Sequence, residues 1–178
     1  MQLYVIRHGQ TDCNKKKQYN CRYDEDINEV GIEQAKTASA FVQKLDIDFI
    51  ICSPMIRTRH TCDLININKI PVFYEEKLIE RDGGKLTLTT IDDYFFQEYY
   101  NYYSTNIVDG LESLPELFKR IHSFLDELKE QYKKNTILLV THGAVARAIQ
   151  FYFEPLPEDG MILKKGGQGN CEIKKYEL

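Results

Sequence analysis

The stretch LYVIRHG, residues 3–9, places an arginine and a histidine directly after a short apolar run. The run is rich in β-branched residues and is bounded by a glycine, which is typical of a buried strand in a parallel sheet. Open α/β sheets bind their ligands outside the carboxyl ends of such strands. The stretch therefore predicts a parallel sheet and a binding site that contains Arg7 and His8.

The rest of the chain alternates between the spacing of strands and that of helices. Strands are predicted at residues 48–52, 71–75, 135–143 and 171–178, and helices at 28–45, 53–65, 113–132 and 144–153. This alternation is typical of an α/β fold with a mostly parallel central sheet flanked by helices on both faces. The second of these helices is expected to have Ser53 as its N-cap and Pro54 in its first turn.

One segment departs from this alternation. Residues 91–106, IDDYFFQEYYNYYSTN, are dense in aromatic side chains and lack a regular spacing. Because the chain shows no internal repeat and no linker, we expect a single domain over residues 1–178. The aromatic segment is then a small helical cap inserted into that domain.

The charge of the chain restricts its partners. The formal net charge is −4 at pH 7, and 28% of the 178 residues are charged. Proteins that bind nucleic acids or acidic membranes usually present a basic face, so we expect neither partner. An anion site in this chain must therefore be local and built from a few convergent side chains.

The cysteines and the apolar segments indicate a cellular location. The five cysteines are an odd number and form no C-x-x-C pair, which favours free thiols in a reducing compartment. The first apolar run is too short for a signal peptide, and no run approaches the ~18 apolar residues of a membrane span. We therefore expect a cytoplasmic protein.

Polar side chains follow three of the predicted strands. Arg7 and His8 follow the first strand, Arg57 lies shortly after the second, and His142 follows the fourth. Because parallel strands bring their carboxyl ends to one edge of a sheet, these four side chains are expected to converge in one crevice. Guanidinium groups bind phosphoryl oxygens bidentately and keep their charge, so the crevice is predicted to be a phosphate pocket.

The two histidines suggest covalent catalysis. Positive charge on Arg7 and Arg57 disfavours the imidazolium form of His8. Its neutral ring can then attack phosphorus and form a phosphohistidine, which splits hydrolysis into two easier transfers. His142 is expected to donate a hydrogen bond to the transferring oxygens.

A leaving alkoxide needs a proton, and Glu80 is the best candidate to supply it. It lies just beyond the third strand, in KLIERDGG at residues 77–84. A dianionic phosphoryl group disfavours the charged form of a neighbouring carboxyl group, and the same carboxylate can later activate water. The alternative for Glu80 is a solvated loop charge. This scheme requires no cofactor, and the sequence contains no metal-binding motif.

These residues lie in motifs that resemble the histidine phosphatase (phosphoglycerate mutase-like) superfamily. The pattern R-H-G-x-T-x-x-N of that family is matched by RHGQTDCN at residues 7–14. Further segments are similar to other family motifs in the same order: DEDINEVGIEQA at 24–35, SPMIRTRHTC at 53–62, LIERDGG at 78–84 and VTHGAVAR at 140–147. The resemblance implies a short, phosphatase-type member of the superfamily.

The resemblance also implies a role for each matching residue. The catalytic set carried over in this way is His8, Glu80, His142, Arg7 and Arg57. The substrate-binding set is Asn14, Gln10 and Gly143, with Gln10 near the site entrance. Residues from about 91 to 113 are implied to cover the substrate, with some of the tyrosines between Tyr94 and Tyr103 buried and others lining the mouth.

Two departures from the family pattern concern the substrate. The chain has no tryptophan after its candidate acid, and the G-E-S motif appears as GLES at residues 110–113. We therefore expect a phosphomonoesterase for a small phosphorylated metabolite. The sequence leaves open the identity of that metabolite and the oligomeric state of the protein. The alternative is a phosphoglycerate mutase, although the short length favours hydrolysis, since a mutase must exclude water from its intermediate. A non-catalytic module that binds a phosphorylated ligand is a third class.

Four other charged or titratable side chains are expected to have structural roles or to face solvent. Arg147, four residues beyond Gly143, is expected to pair with a carboxylate on the surface of its helix. Asp24 is expected to cap or order the loop after the nucleophile. His60 and His122 lack motif support and are expected to be structural or to face solvent.

Overall fold

A computed structural model of the protein describes residues 1–91, 93–105 and 108–178. Within these ranges the chain forms one sheet of five strands in the order β3-β2-β4-β1-β5. The strands are β1 (Gln2–Arg7), β2 (Phe49–Cys52), β3 (Val72–Tyr74), β4 (Thr136–Thr141) and β5 (Ile173–Glu177). Only β5 runs antiparallel to its neighbour, so the predicted mostly parallel sheet is confirmed.

Helices cover both faces of the sheet. They are α1 (Asp12–Lys15), α2 (Glu29–Val42), α3 (Ile56–Ile65), α4 (Asp93–Tyr99), α5 (Leu114–Gln131) and α6 (Gly143–Phe153). Short 3-10 turns are formed by Glu76–Leu78, Gly84–Leu86 and Ile162–Lys165. None of the helices in the described part of the chain has the length and apolarity needed to cross a bilayer.

The side chains of β1 alternate between two hydrophobic clusters. Leu3 and Val5 pack in the cluster that contains the apolar faces of α5 and α6. Tyr4 and Ile6 point to the opposite face and pack with residues of α2 and α3. Because successive strand residues point to opposite faces, one apolar run holds both helical layers against the sheet.

The register of the strands positions the site. β1 and β4 pair in parallel from Gln2 opposite Thr136 to Arg7 opposite Thr141, so His8 and His142 both follow directly at the same edge. The backbone N–H of Ser53 donates to the carbonyl of Val140 at 3.0 Å, which brings the end of β2 to this edge as well.

The start of α3 differs from the prediction. The helix begins at Ile56. Met55 occupies the N-cap position, and its side chain makes no capping hydrogen bond. The N–H of Ile56 donates instead to Oδ1 of Asp24 at 2.8 Å, so Asp24, which lies in the loop after His8, caps this helix. Ser53 is therefore not an N-cap, because its hydroxyl group is engaged elsewhere.

The aromatic segment contains one short helix, α4. Tyr99 is 5% exposed and packs in a small cluster with Tyr19 and Cys21, whereas Tyr103 is exposed. The predicted cap of residues 91–113 includes residues 92, 106 and 107, which lie outside the described residues, as do the side chains of residues 93–95. Where it is described, the segment places Tyr99 over the carboxyl edge of the sheet.

Candidate active site

A pocket of about 140 Å³ opens at the carboxyl edge of the sheet. Its described lining is Arg7, His8, Asn14, Gln18, Tyr19, Asn20, Cys21, Arg57, Glu80, Ile91, Tyr99, Tyr100, Gly143, Ala144, Arg147 and Gln168. The pocket thus brings together side chains from the ends of three strands, the loop after β3 and the aromatic segment. Most of the residues that the sequence assigned to a phosphate site lie in it.

His8 is buried and has one ring nitrogen in a fixed hydrogen bond. Its Nδ1 lies 2.7 Å from the carbonyl oxygen of Gly9, so Nδ1 carries the proton and Nε2 holds the free lone pair. Burial lowers the pKa of His8 well below 6.5, and the positive charges of Arg57 and Arg7 lower it further. The ring is therefore neutral at pH 7, as attack on phosphorus requires.

His142 is fully buried, with its ring centroid 5.3 Å from that of His8. Nε of Arg57 lies 3.2 Å from Nδ1 of His142, and the Ser53 hydroxyl oxygen lies 2.7 Å from Nε2. Since a guanidinium N–H can only donate, Nδ1 is the acceptor, and Nε2–H donates to Ser53. Burial and the charge of Arg57 lower the pKa of His142 well below 6.5.

This arrangement differs from the expectation that His142 donates to the transferring oxygens. Both ring nitrogens of His142 are already in hydrogen bonds within the protein. A neutral ring has one N–H, and here Ser53 accepts it. His142 is thus placed to orient Arg57.

Arg57 is held rigidly in the pocket wall. Its two terminal nitrogens donate to the carbonyl oxygens of Cys21 at 2.7 Å and Tyr23 at 2.9 Å. The side chain is 0% exposed, and this burial lowers its pKa. Each terminal nitrogen retains a second N–H, so the fork is preorganised for an anion.

Arg7 forms the opposite part of the positive wall. Its terminal nitrogen donates to the carbonyl oxygen of Gln168 at 3.0 Å. Its Nε is buried and has no hydrogen-bond partner among the described residues. A Cβ atom at Gly143 would lie 3.4 Å from Cζ of Arg7, so the glycine keeps the face of this guanidinium open.

Glu80 is fixed in the pocket by backbone amides. One carboxylate oxygen accepts from the N–H of Arg81 at 2.8 Å, and the other accepts from the N–H of Ala144, in the first turn of α6, at 3.3 Å. The positive end of the helix favours a negative group there. Glu80 is half-buried and lines the pocket, which favours a role in the site over a solvated loop charge.

The three substrate-binding candidates occupy different places. Asn14 and Gly143 line the pocket. Oδ1 of Asn14 accepts hydrogen bonds from the N–H of Thr11 and from Asn170, which leaves its Nδ2 for an anion. Gln10 does not contribute to the described lining, because its Oε1 accepts from the Asn28 side chain, the N-cap of α2.

Two residues with a role at this site carry a different prediction from the sequence: Arg147, which lines the pocket, and Ser53, which contacts His142 behind it. Ser53 was assigned to a helix cap, although it follows β2 just as His142 follows β4. Arg147 was expected to pair with a surface carboxylate, but it lines the pocket and donates to the carbonyl oxygens of Gly166 and Ile162. Its spacing of four residues from Gly143 signals this position, since residues four apart share one helix face.

The histidines of this pocket are not arranged as a metal centre. In the portion of the chain that the structure describes, no three His, Cys, Asp or Glu side chains are close enough to hold a metal ion. Three guanidinium groups, which bind anions, and one carboxylate, that of Glu80, converge here. The arrangement can therefore hold a phosphoryl group next to a neutral imidazole.

Comparison with known proteins agrees with this geometry. The chain matches the histidine phosphatase superfamily (branch 1) over residues 3–178. A probable phosphatase of Schizosaccharomyces pombe is 32% identical over 170 residues, which cover 93% of this chain and 78% of that protein. A probable phosphoglycerate mutase of Salmonella choleraesuis is 28% identical over 150 residues, which cover 80% and 70%.

A solved structure shows the same fold. The mycobacterial glucosyl-3-phosphoglycerate phosphatase superposes with a TM-score of 0.86 at 22% sequence identity, covering 99% of this chain and 92% of that one. At this identity the likeness concerns the architecture of the sheet and its helices. Together with the match along almost the whole chain, it establishes that this protein belongs to branch 1 of the histidine phosphatase superfamily.

Proposed function

We propose that this protein hydrolyses phosphomonoesters of small alcohols through a phosphohistidine on His8. The observation that carries the proposal is the neutral ring of His8 between two arginines, with its Nδ1 bound to Gly9 and its Nε2 lone pair free. The pocket of about 140 Å³ suits a compact alcohol, since drug-sized ligands occupy pockets of roughly 300–1,000 Å³.

The reaction has two steps that balance in atoms and charge. Because the bound phosphoryl dianion disfavours a neighbouring carboxylate, Glu80 takes up a proton when the ester binds. Nε2 of His8 attacks phosphorus, the bond from phosphorus to the ester oxygen breaks, and Glu80 gives this proton to the leaving oxygen. Water then attacks the phosphohistidine, Glu80 takes a proton from that water, and the bond between phosphorus and Nε2 breaks. Inorganic phosphate leaves, and both groups return to their starting states.

Three other side chains support the transfer. Arg7 and Arg57 bind the phosphoryl oxygens, whose charge is redistributed in the transition state. His142 holds Nε of Arg57 and so fixes the plane of the guanidinium group. In this role His142 is a positioning residue.

Trapping the intermediate tests the proposal. The protein is mixed briefly with p-nitrophenyl phosphate and quenched in alkali, in which a phosphohistidine survives, and the peptides are analysed by mass spectrometry. We expect an acid-labile phosphoryl group on the peptide that contains His8, absent in His8→Ala and present in the surface variant His60→Ala. An adduct on a serine or cysteine, or turnover without any adduct, contradicts the mechanism.

A phosphoglycerate mutase is the second candidate, because several relatives carry that description. A mutase returns the phosphoryl group to its substrate, whereas a phosphatase transfers it to water. Measuring phosphate release beside the exchange of 2- and 3-phosphoglycerate distinguishes the two. A non-catalytic binding module is disfavoured, since His8, Glu80 and both arginines lie in one pocket.

A further inference from the structure

The peptide group between Gly9 and Gln10 makes a hydrogen bond on each side. Its carbonyl oxygen, that of Gly9, accepts from Nδ1 of His8 at 2.7 Å, and its N–H, that of Gln10, donates to Oε1 of Gln34 at 2.9 Å. In a trans peptide group the C=O and N–H bonds point in opposite directions and turn together, because the group is planar. Gln34, a residue of α2, therefore fixes the direction of the carbonyl group that the ring of His8 uses.

The start of α2 packs directly on this peptide group. A Cβ atom at Gly31 would lie 2.3 Å from the carbonyl oxygen of Gln10 and 2.7 Å from its nitrogen, so the glycine lets the helix approach this closely. Gln34 follows Gly31 by three residues and lies on the same face of the helix. Because a backbone N–H can only donate, the amide group of Gln34 must turn its oxygen towards it. The helix thus supplies an acceptor at a fixed place.

The direction of the peptide group decides which nitrogen of His8 holds the lone pair. While the carbonyl oxygen faces the ring, Nδ1 carries the proton and Nε2 is the nucleophile. Without an acceptor on α2, the N–H of Gln10 would lose its partner, and such a loss costs free energy. The peptide group would then gain by turning this N–H towards Nδ1, which can accept only when the ring proton is on Nε2. In that tautomer Nε2 has no lone pair with which to attack phosphorus.

The preceding peptide group is also held by side chains, but it makes no hydrogen bond to the ring. The N–H of Gly9 donates to Oγ1 of Thr61 at 3.0 Å, and the carbonyl oxygen of His8 accepts from Nδ2 of Asn170 at 2.9 Å. These two bonds fix the place of His8 in the pocket and leave its tautomer open. Among the described residues, Gln34 is the one side chain that binds the peptide group used by the ring.

We propose that Gln34 is a positioning residue, which selects the tautomer of His8 that has its lone pair on Nε2. The side chain of Gln34 is half-buried and lies outside the described lining of the pocket, so it acts on the ring through the backbone and does not touch the substrate. The proposal rests on the function proposed above for the attack by Nε2. The tautomer itself is a property of the free protein and can be measured without a substrate.

The ring nitrogens of His8 report the tautomer directly. In protein labelled with ¹⁵N-histidine at pH 7, nuclear magnetic resonance distinguishes a protonated ring nitrogen from an unprotonated one, and His8→Ala identifies the signals of His8. We expect a protonated Nδ1 and an unprotonated Nε2 in the wild type. Gln34→Met removes the acceptor oxygen and is expected to shift both signals towards the other tautomer. Gln34→Glu keeps an acceptor oxygen and is expected to leave them unchanged.

Two results of this measurement would overturn the proposal. A proton on Nε2 in the wild type contradicts it, whether or not any variant folds. Unchanged signals in Gln34→Met also contradict it, and Gln34→Leu, a second variant without an acceptor, takes its place if Gln34→Met does not fold. Gln43→Met is the matched control, because it makes the same change at the exposed C-cap, at the opposite end of α2.

Steady-state kinetics with p-nitrophenyl phosphate give a second readout. We expect Gln34→Met to lower kcat by roughly 3- to 10-fold with little change in KM, since one hydrogen bond is lost, and Gln34→Glu to retain most of the wild-type kcat. Equal losses in these two variants contradict the proposal. If the wild type hydrolyses nothing, the function proposed above fails, but a tautomer that depends on Gln34 still supports the positioning role. If hydrolysis proceeds and the tautomer does not depend on Gln34, only the role of Gln34 is refuted.

Discussion

The hydroxyl oxygen of Ser53 lies 2.7 Å from Nε2 of His142, across the ends of two adjacent strands. The other ring nitrogen of His142 accepts from Nε of Arg57. The three side chains are buried and form a hydrogen-bonded chain that ends at the pocket wall, in Arg57. Such a chain fixes both the tautomer of the histidine and the orientation of the arginine.

Removal of the hydroxyl group at position 53 is expected to weaken catalysis through Arg57. Ser53→Ala leaves the Nε2–H of His142 without an acceptor, and we expect kcat to fall by roughly 10-fold because a buried hydrogen bond is lost. KM for p-nitrophenyl phosphate is expected to change less. Steady-state kinetics measure both constants, with the buried Ser39→Ala in α2 as the control for packing.

A double-mutant cycle tests whether Ser53 affects catalysis through Arg57 or independently of it. If Ser53 acts through Arg57, adding Ser53→Ala to Arg57→Ala is expected to cost little more than Arg57→Ala alone. Additive losses in the double variant contradict the proposed connection.

Acid is expected to destabilise the fold through the two buried histidines. Burial lowers the pKa values of His8 and His142 well below 6.5 in the native state. At a pH just below 6.5 both rings are therefore neutral in the native protein, whereas they are protonated in the unfolded chain. The unfolded state then binds more protons, and the free energy of unfolding falls as the pH falls below 6.5. Each histidine contributes a slope of up to about 1.4 kcal/mol per pH unit.

Urea denaturation between pH 7 and pH 5 measures this slope. His142→Gln removes one of the two groups, so its free energy of unfolding is expected to depend less steeply on pH than that of the wild type, whatever its absolute stability. An unchanged slope in both His142→Gln and His8→Gln would show that these histidines do not remain neutral.

The fold and much of the pocket follow from local patterns. β-Branched runs, amphipathic spacing and strand ends predicted the sheet, its helices and the meeting of His8 and His142, because parallel pairing places both at one edge. The predicted approach of Arg57 to His142 also occurs. Gln10 shows where a motif is insufficient. Its side chain turns to Asn28 of α2, a contact that depends on how a distant helix packs.

Ser53 and Arg147 show a second limit. Ser-Pro before an amphipathic segment is a common start of a helix, and the sequence could not tell that the register of β4 would present His142 to Ser53, 89 positions away. An arginine on a helix usually faces solvent. The place of Arg147 in the pocket depends on the carbonyl groups of Ile162, in the 3-10 turn at Ile162–Lys165, and of Gly166 directly after it.

Arg57 is expected to act mainly on the transition state. Loss of one preorganised donor to a developing negative charge typically lowers kcat by roughly 10²–10³. Arg57→Ala is therefore expected to reduce kcat far more than it raises KM, and Arg57→Lys to recover only part, since a point charge does not replace the fork. A kcat near that of the wild type in Arg57→Ala would remove this residue from the catalytic set.

Chelation is expected to leave the rate unchanged. In the proposed mechanism Arg7 and Arg57, which both line the pocket, supply the positive charge for the phosphoryl group, and such donors suit an anion better than a metal ion. The measurement is p-nitrophenyl phosphate hydrolysis after dialysis against EDTA. Activity that is lost on dialysis and restored by one equivalent of a divalent ion contradicts the expectation.

The effect of Glu80→Gln is expected to depend on the leaving group. A general acid matters most where the leaving oxygen needs a proton, so the variant is expected to hydrolyse an ester of an ordinary alcohol, such as glycerol 3-phosphate, much more slowly. The nitrophenolate ion leaves readily, so its ester is expected to suffer less, although the later attack of water still needs a base. The amide keeps one oxygen that can accept from the N–H of Ala144, so the pocket wall is preserved.

The comparison of the two esters decides the role of Glu80. Rapid-quench kinetics of Glu80→Gln with the nitrophenyl ester are expected to show phosphohistidine accumulating, because its formation is slowed less than its hydrolysis. Equal defects on both esters would argue against a leaving-group acid and leave Glu80 as the base for water. If neither ester is affected, the carboxylate serves only to cap α6, as its hydrogen bond to the N–H of Ala144 would allow.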